Sequence, residues 1–229
     1  MHLFYAPELN AAEFSLPEEE THHLIHVLRL SQGDKVEVTD GLGTLAVCEV
    51  AQISKKSAFL KMLTSENLPQ PARRLHMGIA PTKNMDRLEW FVEKATEIGV
   101  CRITPLLCKH SERKVLNTDR LRKLVVAAAK QSRQFWFPTL DGLCPFDVFI
   151  HQENSGINYI AHCHPGPKEH LSTVTKERDV TILIGPEGDF NTSEVEMAMQ
   201  KGFQSISLGE SRLRTETAAL VAVVAFNIS

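Results

Sequence analysis

The sequence predicts an α/β domain preceded by a smaller β-barrel, and three observations support this fold class. Short β-type runs recur before residue 70, whereas strand and helix signals alternate after residue 71. Between the two patterns, Pro69 and Pro71 interrupt both kinds of periodicity. We therefore predict an N-terminal domain over residues 1–70 and a C-terminal domain over residues 71–229.

In the N-terminal part, three runs predict strands and one run predicts a helix. The helix extends over 17–28 and carries three glutamates in its first turn, where the helix dipole favours anions. A glycine-containing turn at 40–43 joins the first two strands as a hairpin. The predicted strands are 35–39, 44–50 and 57–62.

In the C-terminal part, five strands alternate with four helices. The run 180–185 is almost continuously apolar, which is typical of a strand buried in a parallel sheet. Ser193 followed by Glu196 is a candidate capping box for the third helix. The predicted strands are 75–80, 100–107, 158–163, 180–185 and 205–208, and the predicted helices are 86–98, 118–131, 193–201 and 217–228.

Composition excludes several classes of protein. The 229 residues are 43% hydrophobic and 23% charged, which argues against disordered, collagen-like and membrane proteins. No apolar run approaches the roughly 20 residues of a spanning helix, and the first residues lack a secretory signal. Five cysteines without a CxxC pair indicate reduced thiols, so we expect a cytoplasmic protein.

The charges are unevenly distributed along the chain. Residues 1–70 contain 5 Lys/Arg and 10 Asp/Glu, whereas residues 73–133 contain 14 Lys/Arg and 6 Asp/Glu. This asymmetry predicts one basic face, which is weak evidence for a nucleic-acid partner, because the formal net charge of −3 by itself argues against one. A solvated helix surface without a partner is the alternative.

The stretch from Ile184 to Phe190 lies between a predicted strand and a predicted helix. Ligands of open α/β sheets bind beyond the carboxyl ends of strands, and the two glycines here allow close approach. Glu187 and Asp189 argue against a phosphate ligand, because they would repel it. A neutral or cationic ligand fits better, although a purely structural turn is an equal alternative.

A second strand-end stretch runs from Ser207 to Leu220. A helix N-terminus capped by Thr215 or Thr217 explains the hydroxyls but not the arginines, since cations are unfavourable there. Arg212 and Arg214 therefore indicate a phosphate or carboxylate partner, or a pairing with a glutamate of this chain, Glu187 or Glu216.

Histidines and a cysteine occur close together in two places, but neither predicts a metal site. His162, Cys163 and His164 end a predicted strand, and His22 and His26 have helical spacing. Further ligands at zinc-like spacing are missing in both places. We predict no metal.

Two motifs resemble those of the RsmE family within the SPOUT superfamily. The strongest matches are the stretches 183–188 and 213–220. Supporting matches cover His23–Leu24, Val27–Leu30 and Gly33–Asp34, the stretch 94–100, Pro105, and Gln131–Arg133. The resemblance extends over nearly the whole chain, and together these motifs are highly specific.

The resemblance implies an S-adenosylmethionine-dependent methyltransferase that methylates N3 of a uridine in 16S (small-subunit) ribosomal RNA. It implies a PUA-like barrel, a SPOUT-type α/β domain with a trefoil knot, and a homodimer. This sequence departs from the family's usual motifs at two places. Asp189 replaces a second glycine, and Glu210-Ser211-Arg212 replaces Pro-Arg followed by Ile or Val.

The resemblance also implies roles for individual residues. We expect Arg214 to stabilise the negative charge that develops on uracil, with Glu216 orienting it or accepting the proton. The charge count and the family match together suggest phosphate contacts at Arg29, Lys83, Arg113, Lys114 and Arg133. The implied cofactor-binding residues are Cys163, His164, Ile184, Gly185, Pro186, Glu187, Gly188, Ser207, Leu208, Gly209, Ser211, Leu213 and Thr217.

Two other functions remain open on the sequence. One alternative is a SPOUT methyltransferase that acts on another RNA, and the other is an RNA-binding factor of ribosome assembly without catalysis. An enzyme that binds nucleotide phosphates is disfavoured, because the strand-end loops are acidic and the Walker motif is missing.

Overall fold

The computed structural model describes residues 1–9, 11–54, 56–153, 156–174 and 179–228. The chain divides into two compact units. The first comprises Met1–Pro71 with Ala129–Phe137, and the second comprises Ala72–Ala128 with Pro138–Ser229. Residues 129–137, which a division at residue 70 places in the C-terminal domain, thus group with the first unit.

The first unit is built on a five-stranded sheet. Its strands are β1 (Leu3–Tyr5), β2 (Glu13–Ser15), β3 (Lys35–Thr39), β4 (Thr44–Ile53) and β5 (Ala58–Asn67), in the order β1-β3-β4-β5-β2. The three predicted strands are confirmed as β3, β4 and β5. The two end strands have three residues each, which is too short for their periodicity to be recognised.

The predicted N-terminal helix is shorter than expected. It begins as α1 (Glu18–His22), with the three glutamates in its first turn, and continues as a π-helical turn over His23–Val27. Arg29 then leaves the helix with a left-handed backbone, φ 54°. A π-turn shifts the side chains off the 3.6-residue spacing, so the α-helical prediction for 23–28 is wrong.

Alternation along β3 and β4 places one face of each strand in the core of this unit. Val36, Val38, Ala46, Cys48 and Val50 have no exposed surface. Burial raises the pKa of the Cys48 thiol to about 11, which keeps it protonated and unreactive at neutral pH.

Residues 133–137 pack against the β3–β4 hairpin. Gly43 N donates to Phe135 O at 2.9 Å, and Phe137 N donates to Gly41 O at 2.8 Å. Arg133 forms a two-pronged ion pair with Glu37, with N–O distances of 2.8 and 3.1 Å. Backbone pairing and an ion pair together explain why this segment belongs to the first unit.

The second unit contains a parallel sheet flanked by helices. The sheet order is β11-β13-β10-β12-β6-β7-β8, with β9 paired to β7. Its strands are β6 (Arg74–Ile79), β7 (Arg102–Leu107), β8 (Thr139–Leu140), β9 (Cys144–Pro145), β10 (Ile157–Ala161), β11 (Glu169–His170), β12 (Asp179–Ile184) and β13 (Gln204–Ser207). Its helices are α2 (Met85–Ile98), α3 (Thr118–Ser132), α4 (Phe146–Ile150), α5 (Leu171–Val174), α6 (Thr192–Gln200) and α7 (Thr215–Asn227); the last turn of α3 lies in the first unit.

Every strand and helix predicted for this part of the chain is confirmed to within two residues at either end. The elements that the sequence did not predict, β8, β9, β11, α4 and α5, have two to five residues. Elements of this length carry too few side chains to show a helical or strand period.

Apolar side chains cover both faces of the parallel sheet. On one face, Leu88 and Phe91 of α2 share a core with Ala219 and Val223 of α7. On the other, Phe149 of α4 and residues of α6 pack in a separate cluster. Burial on both faces accounts for the continuous apolar run that identified β12. No helix among the described residues is long and apolar enough to cross a bilayer.

The predicted capping box of α6 is displaced by two residues. Asn191, not Ser193, is the N-cap, and its side chain accepts from Ser193 N at 3.1 Å. Glu194, not Glu196, returns the bond by accepting from Asn191 N at 2.8 Å. Asn is as good a cap as Ser, and the loop after β12 decides which residue reaches the first turn.

Candidate functional site

A cavity of about 670 Å³ opens at the carboxyl edge of the parallel sheet. The loops that follow β10, β12 and β13 form its wall, together with the start of α7. The volume falls within the range of about 300–1,000 Å³ typical of small-molecule sites. The three strand ends that the sequence singles out therefore meet in one concave site.

Most of the sequence-predicted cofactor residues line this cavity. They come from all three loops, and Arg214, the candidate catalytic arginine, lies beside them at the N-cap of α7. The cofactor candidates on the wall are Cys163, Ile184, Gly185, Pro186, Glu187, Ser207, Leu208, Gly209, Ser211 and Leu213.

Four of the predicted cofactor-binding and catalytic residues lie outside the wall. His164 points its Nε2 at Phe190 O, 2.7 Å away, and Gly188 packs against His110. Thr217 lies in the first turn of α7 and is half-buried. Glu216 is only 6% exposed and has Arg87 as its partner, 3.7 Å away, so it does not pair with Arg214.

The cavity wall also contains residues that sequence reasoning missed. Asp189 and Arg212 were noted in motifs but not assigned to the site, whereas most of the others stand one position before or after assigned residues; Ala161 and Lys168 do not. Their positions at strand ends were the available signal. These residues are Ala161, His162, Lys168, Asp189, Ile206, Glu210, Arg212, Thr215 and Ala218.

Thr215 joins two of the three loops. Its hydroxyl donates to Gly185 O at 3.0 Å and is buried, so it fixes the start of α7 to the end of β12. It does not cap the helix, because the N-cap is Arg214, whose side chain makes no capping bond. The expectation of a hydroxyl cap at Thr215 or Thr217 is therefore wrong. The hydroxyl of Thr215 instead connects α7 to a residue of the cavity wall, Gly185.

Asp189 stands where the family pattern has a second glycine, and its backbone and side chain show how this loop accommodates an aspartate. Its φ is 63°, in the left-handed region that Asp tolerates better than most residues. One carboxylate oxygen accepts from Cys163 N and the other from Phe190 N, each at 2.8 Å. The carboxylate thus ties the loop after β12 to the loop after β10.

The wall carries balanced charge. Three acidic residues, Glu187, Asp189 and Glu210, face three basic residues, Lys168, Arg212 and Arg214. Burial and the nearby Lys168 lower the pKa of His162, so its imidazole adds no positive charge at neutral pH. A ligand with both positive and negative groups is compatible with this wall.

The loops after β6 and β7 are attached to the same edge of the sheet. Glu187 accepts from Lys83 N at 2.9 Å, and Arg113 donates to Lys83 O at 2.8 Å. His110 Nδ1 lies 3.2 Å from Gly188 O and 3.0 Å from Asp189 O. Residues 109–114 therefore border the cavity wall, although the sequence did not single out Lys109 or His110.

The predicted phosphate-contact residues differ in whether their charged groups are free to contact a phosphate or already have a partner within the protein. In the second unit, Lys83 pairs with Glu112, and Lys114 is exposed. In the first unit, Arg29 is exposed, whereas the guanidinium of Arg133 is held by Glu37. Arg113 is half-buried and donates to the carbonyl oxygens of Thr82 and Lys83, so Arg113 and Arg133 both have their guanidinium groups engaged within the protein.

Ion pairs neutralise much of the predicted basic face. Seven further cations of the 73–133 stretch have carboxylate partners within 4 Å: Arg74, Arg87, Lys94, Arg102, Arg120, Arg122 and Lys130. The excess of Lys and Arg in this stretch therefore overstates the charge presented to a partner.

Within the described ranges, no group of three or more His, Cys, Asp or Glu side chains could hold a metal ion. His162 and His164 have ring centroids 5.5 Å apart, and each ring bonds to a protein oxygen.

Two family models match the chain. The model of the RNA methyltransferase domain covers residues 69–227, and that of the RNA methyltransferase PUA domain covers residues 16–63. A ribosomal RNA small subunit methyltransferase E from Buchnera aphidicola subsp. Acyrthosiphon pisum is 31% identical over 95% of this chain and 88% of the relative.

Solved structures share the fold over the full length. A probable rRNA-methyltransferase from Porphyromonas gingivalis is 38% identical, with a TM-score of 0.89 over 97% of this chain and 95% of that one. A putative methyltransferase from Legionella pneumophila, in complex with the bound cofactor SAM, is 25% identical, with a TM-score of 0.87 over 98% and 96% of the two chains.

Proposed function

The chain belongs to the RNA methyltransferase family that includes the ribosomal RNA small subunit methyltransferases E, and on that premise we propose that it methylates N3 of a uridine in 16S ribosomal RNA. The methyl donor is S-adenosylmethionine, the cofactor bound in the Legionella pneumophila relative. The observation that carries the proposal is the cavity formed by the three strand-end loops.

The residues present fit this cofactor. S-adenosylmethionine carries a sulfonium and an ammonium as well as a carboxylate, and the wall contains equal numbers of acidic and basic side chains. Main-chain groups of Ile184–Glu187 and of 207–213 line the same wall, where Gly185 and Gly209 allow close approach. We propose that these two segments and Cys163 hold the cofactor.

Arg214 is the residue proposed to act on the substrate. When bound, the cofactor supplies an electrophilic methyl group on a positively charged sulfur. Uracil N3 must lose its proton to accept that group, and negative charge then develops on the flanking oxygens. Arg214 is exposed at the cavity and forms no ion pair with any described residue, so its guanidinium is available to stabilise this charge.

Glu216 is better suited to positioning than to accepting a proton. Its carboxylate is buried, and Arg87 lies 3.7 Å from one of its oxygens. An anion in the first turn of a helix is stabilised by the helix dipole. We propose that the pair holds the first turn of α7, and with it Arg214, in place.

RNA contacts are proposed for both units. In the second unit, Lys83, Arg113 and Lys114 belong to the loops that border the cavity, where a phosphate of the bound RNA would approach. In the first unit, Arg29 and Arg133 are candidates, and Arg29 has no ion pair with a described residue. The PUA domain model over residues 16–63 supports an RNA-binding role for that unit.

A homodimer is proposed through α7. Its buried side faces the core, whereas Val221, which also packs against the core, Val224 and the C-cap residue Ile228 form a partly exposed apolar stripe at helical spacing. A second copy of this chain would cover the stripe. The cytoplasm is the proposed location, since ribosomal RNA is the substrate.

The function is tested by methylation of small-subunit ribosomal RNA in vitro, with the modified nucleotide identified by mass spectrometry. We expect 3-methyluridine with the wild-type protein and a loss of at least about 100-fold with Arg214→Ala, the order expected for one charge-stabilising donor. Cofactor affinity measured by calorimetry should change little.

Arg122→Ala is the matched control, because Arg122 is an exposed arginine that pairs with Asp119 in α3. It should leave the rate unchanged. Absence of cofactor binding in the wild type would favour a non-catalytic assembly factor, and a different modified nucleotide would indicate another RNA substrate. Full activity of Arg214→Ala would refute the role proposed for Arg214 and would leave the proposed methyltransferase activity standing.

A further inference from the structure

His110 is an exposed histidine whose ring orientation is set by the cavity wall. It follows β7, and its Nδ1 lies within hydrogen-bonding distance of two carbonyl oxygens, those of Gly188 and Asp189. Gly188 has no side chain, and a Cβ there would lie 3.2 Å from His110 Cβ. The imidazole therefore packs directly on the backbone of the loop after β12.

The two carbonyls determine which ring nitrogen carries the proton. A carbonyl oxygen only accepts hydrogen bonds, so Nδ1 must donate. In the neutral imidazole, Nε2 then holds the lone pair. No described residue is a hydrogen-bond partner of Nε2, so a basic nitrogen is left available on an exposed ring.

This nitrogen belongs to a ring outside the cavity lining that packs on the loop after β12, which forms part of the lining. Glu187 and Asp189, the neighbours of Gly188 in sequence, both line the cavity. His110 is thus one residue away from the wall. The segment 109–114 that carries it also contains two of the proposed RNA contacts, Arg113 and Lys114, so RNA bound there would pass the ring.

Apart from Glu210, an exposed carboxylate of the cavity wall, and the Nδ1 of His164, whose Nε2 contacts Phe190 O, the candidate bases at this edge already have partners. Glu187 accepts from Lys83 N, and both oxygens of Asp189 accept backbone N–H groups. Glu216 is buried beside Arg87. His162 lines the cavity, but its Nδ1 has no accessible surface and its Nε2 contacts Ser205.

We propose that His110 Nε2 is the general base of the methyl transfer, an inference that rests on the proposed function. Nε2 takes the proton from uracil N3, and the electron pair of that N–H bond remains on the uracil. N3 uses this pair to form the new bond to the methyl carbon. The sulfur keeps the electrons of the bond that breaks and becomes a neutral thioether. The imidazolium returns its proton to water.

The test combines the pH dependence of the rate with the tautomer of the free protein. With His110→Gln, we expect a loss of about 100- to 10,000-fold at neutral pH, the usual contribution of a general base. The rate of this variant should recover as the pH rises, because uracil N3 then loses its proton to solvent. Cofactor affinity by calorimetry should be unchanged.

Nuclear magnetic resonance of 15N-histidine-labelled protein, without cofactor or RNA, should show His110 protonated at Nδ1 and bare at Nε2. The neighbouring charged groups are Lys109 and Glu112 on its own segment, Glu187 and Asp189 on the loop, and Glu194 at the start of α6, and none of them is altered by the substitution.

His151→Gln is the matched control, since His151 is also exposed and its Nδ1 donates to the carbonyl of Asp147. It should have wild-type activity at every pH.

Three results would overturn the assignment while leaving the proposed function intact, provided that the wild-type protein is active. They are wild-type activity of His110→Gln, a loss that does not recover at high pH, and the opposite tautomer at His110. Recovery at high pH in His164→Gln instead of His110→Gln would move the role to the other histidine that contacts this loop. An inactive wild-type protein would count against the proposed function itself.

Discussion

At Asp189, a side chain makes hydrogen bonds that a glycine could not make, in a backbone conformation that a glycine would adopt more easily. The residue occupies a left-handed backbone position and its carboxylate joins two of the three cavity loops. The sequence marked the residue as a departure from the family pattern, for which a less open loop and an acid that faces the ligand were the two alternatives. The hydrogen bonds instead turn the carboxylate toward backbone N–H groups, which compensates for the cost of the strained φ.

A second residue-scale feature lies at the opposite end of the sheet. His76 Nε2 is 2.7 Å from Thr104 Oγ1, and Thr104 in turn donates to Asp141. Burial lowers the pKa of His76 to about 4, with Arg102 adding to the effect. Burial alone would raise the pKa of Asp141, but hydrogen bonds from Arg102 and Thr104 hold it below its usual value.

These shifts predict a loss of stability on mild acidification. His76 is neutral in the folded state and has an ordinary pKa of about 6.5 when unfolded, so protons bind preferentially to the unfolded chain. Its contribution is complete above pH 6.5 and is lost as the pH falls toward 4. We expect the free energy of unfolding to fall by about 2 kcal/mol between pH 7 and pH 5 from this group.

Denaturant unfolding at the two pH values measures this change. His76→Gln retains a hydrogen-bonding side chain beside Thr104 but does not titrate, so its stability should depend less on pH by about the same 2 kcal/mol. Equal pH dependence in the two proteins would show that His76 is not the responsible group.

At the scale of elements, the contact between the β3–β4 hairpin and residues 133–137 depends on Gly43. Its φ is +97°, and a Cβ at this position would lie 2.3 Å from Trp136 Cζ2. Gly43→Ala should therefore destabilise the first unit by about 2–4 kcal/mol, from overpacking together with the left-handed backbone. Denaturant unfolding followed by circular dichroism measures the loss.

Gly33→Ala is the control for the backbone term. Gly33 has a similar φ of +92°, but no atom lies within 4 Å of an added Cβ. We expect a loss of only about 1–2 kcal/mol. Losses of the same size in both variants would mean that the Trp136 side chain moves away from the added methyl group without loss of stability. The close approach of Gly43 and Trp136 would then not contribute to the stability of this unit.

At the scale of the whole molecule, the apolar stripe of α7 predicts self-association. Val224→Glu places a charge in the stripe, and burying an unpaired charge is unfavourable, so the variant should be monomeric. Light scattering coupled to size-exclusion chromatography measures the mass. Val148→Glu, which alters an exposed valine of α4, should leave the mass at that of the wild type. A monomeric wild-type protein would exclude the dimer.

The pairing of charges predicts which cations contribute to RNA binding. Lys114 is exposed and has no ion pair with a described residue, whereas Arg120 pairs with Glu89 at 2.7 Å. Lys114→Ala should reduce the slope of log affinity against log salt by about 0.7–0.9. Arg120→Ala should leave the slope unchanged, which filter binding at several salt concentrations can establish. An unaltered slope for Lys114→Ala would remove that residue from the interface.

The sequence by itself determined the fold class, the long elements and the three loops of the site. Helix and strand periods are local properties, and in a parallel sheet the carboxyl ends of the strands share one edge, so loop positions such as 184–190 and 207–214 followed from order along the chain. The family resemblance added the chemistry, because its motifs lie in those same loops.

Only the tertiary structure decided which side chains of these loops face the cavity and which are engaged elsewhere. Glu216 and Arg133 had been assigned chemical roles, but Arg87 and Glu37, distant in sequence, hold them. His110 carried no signal, because its ring acquires a defined tautomer only where Gly188 and Asp189 fold against it. Pairing across long sequence separations depends on packing, which local periodicity does not encode.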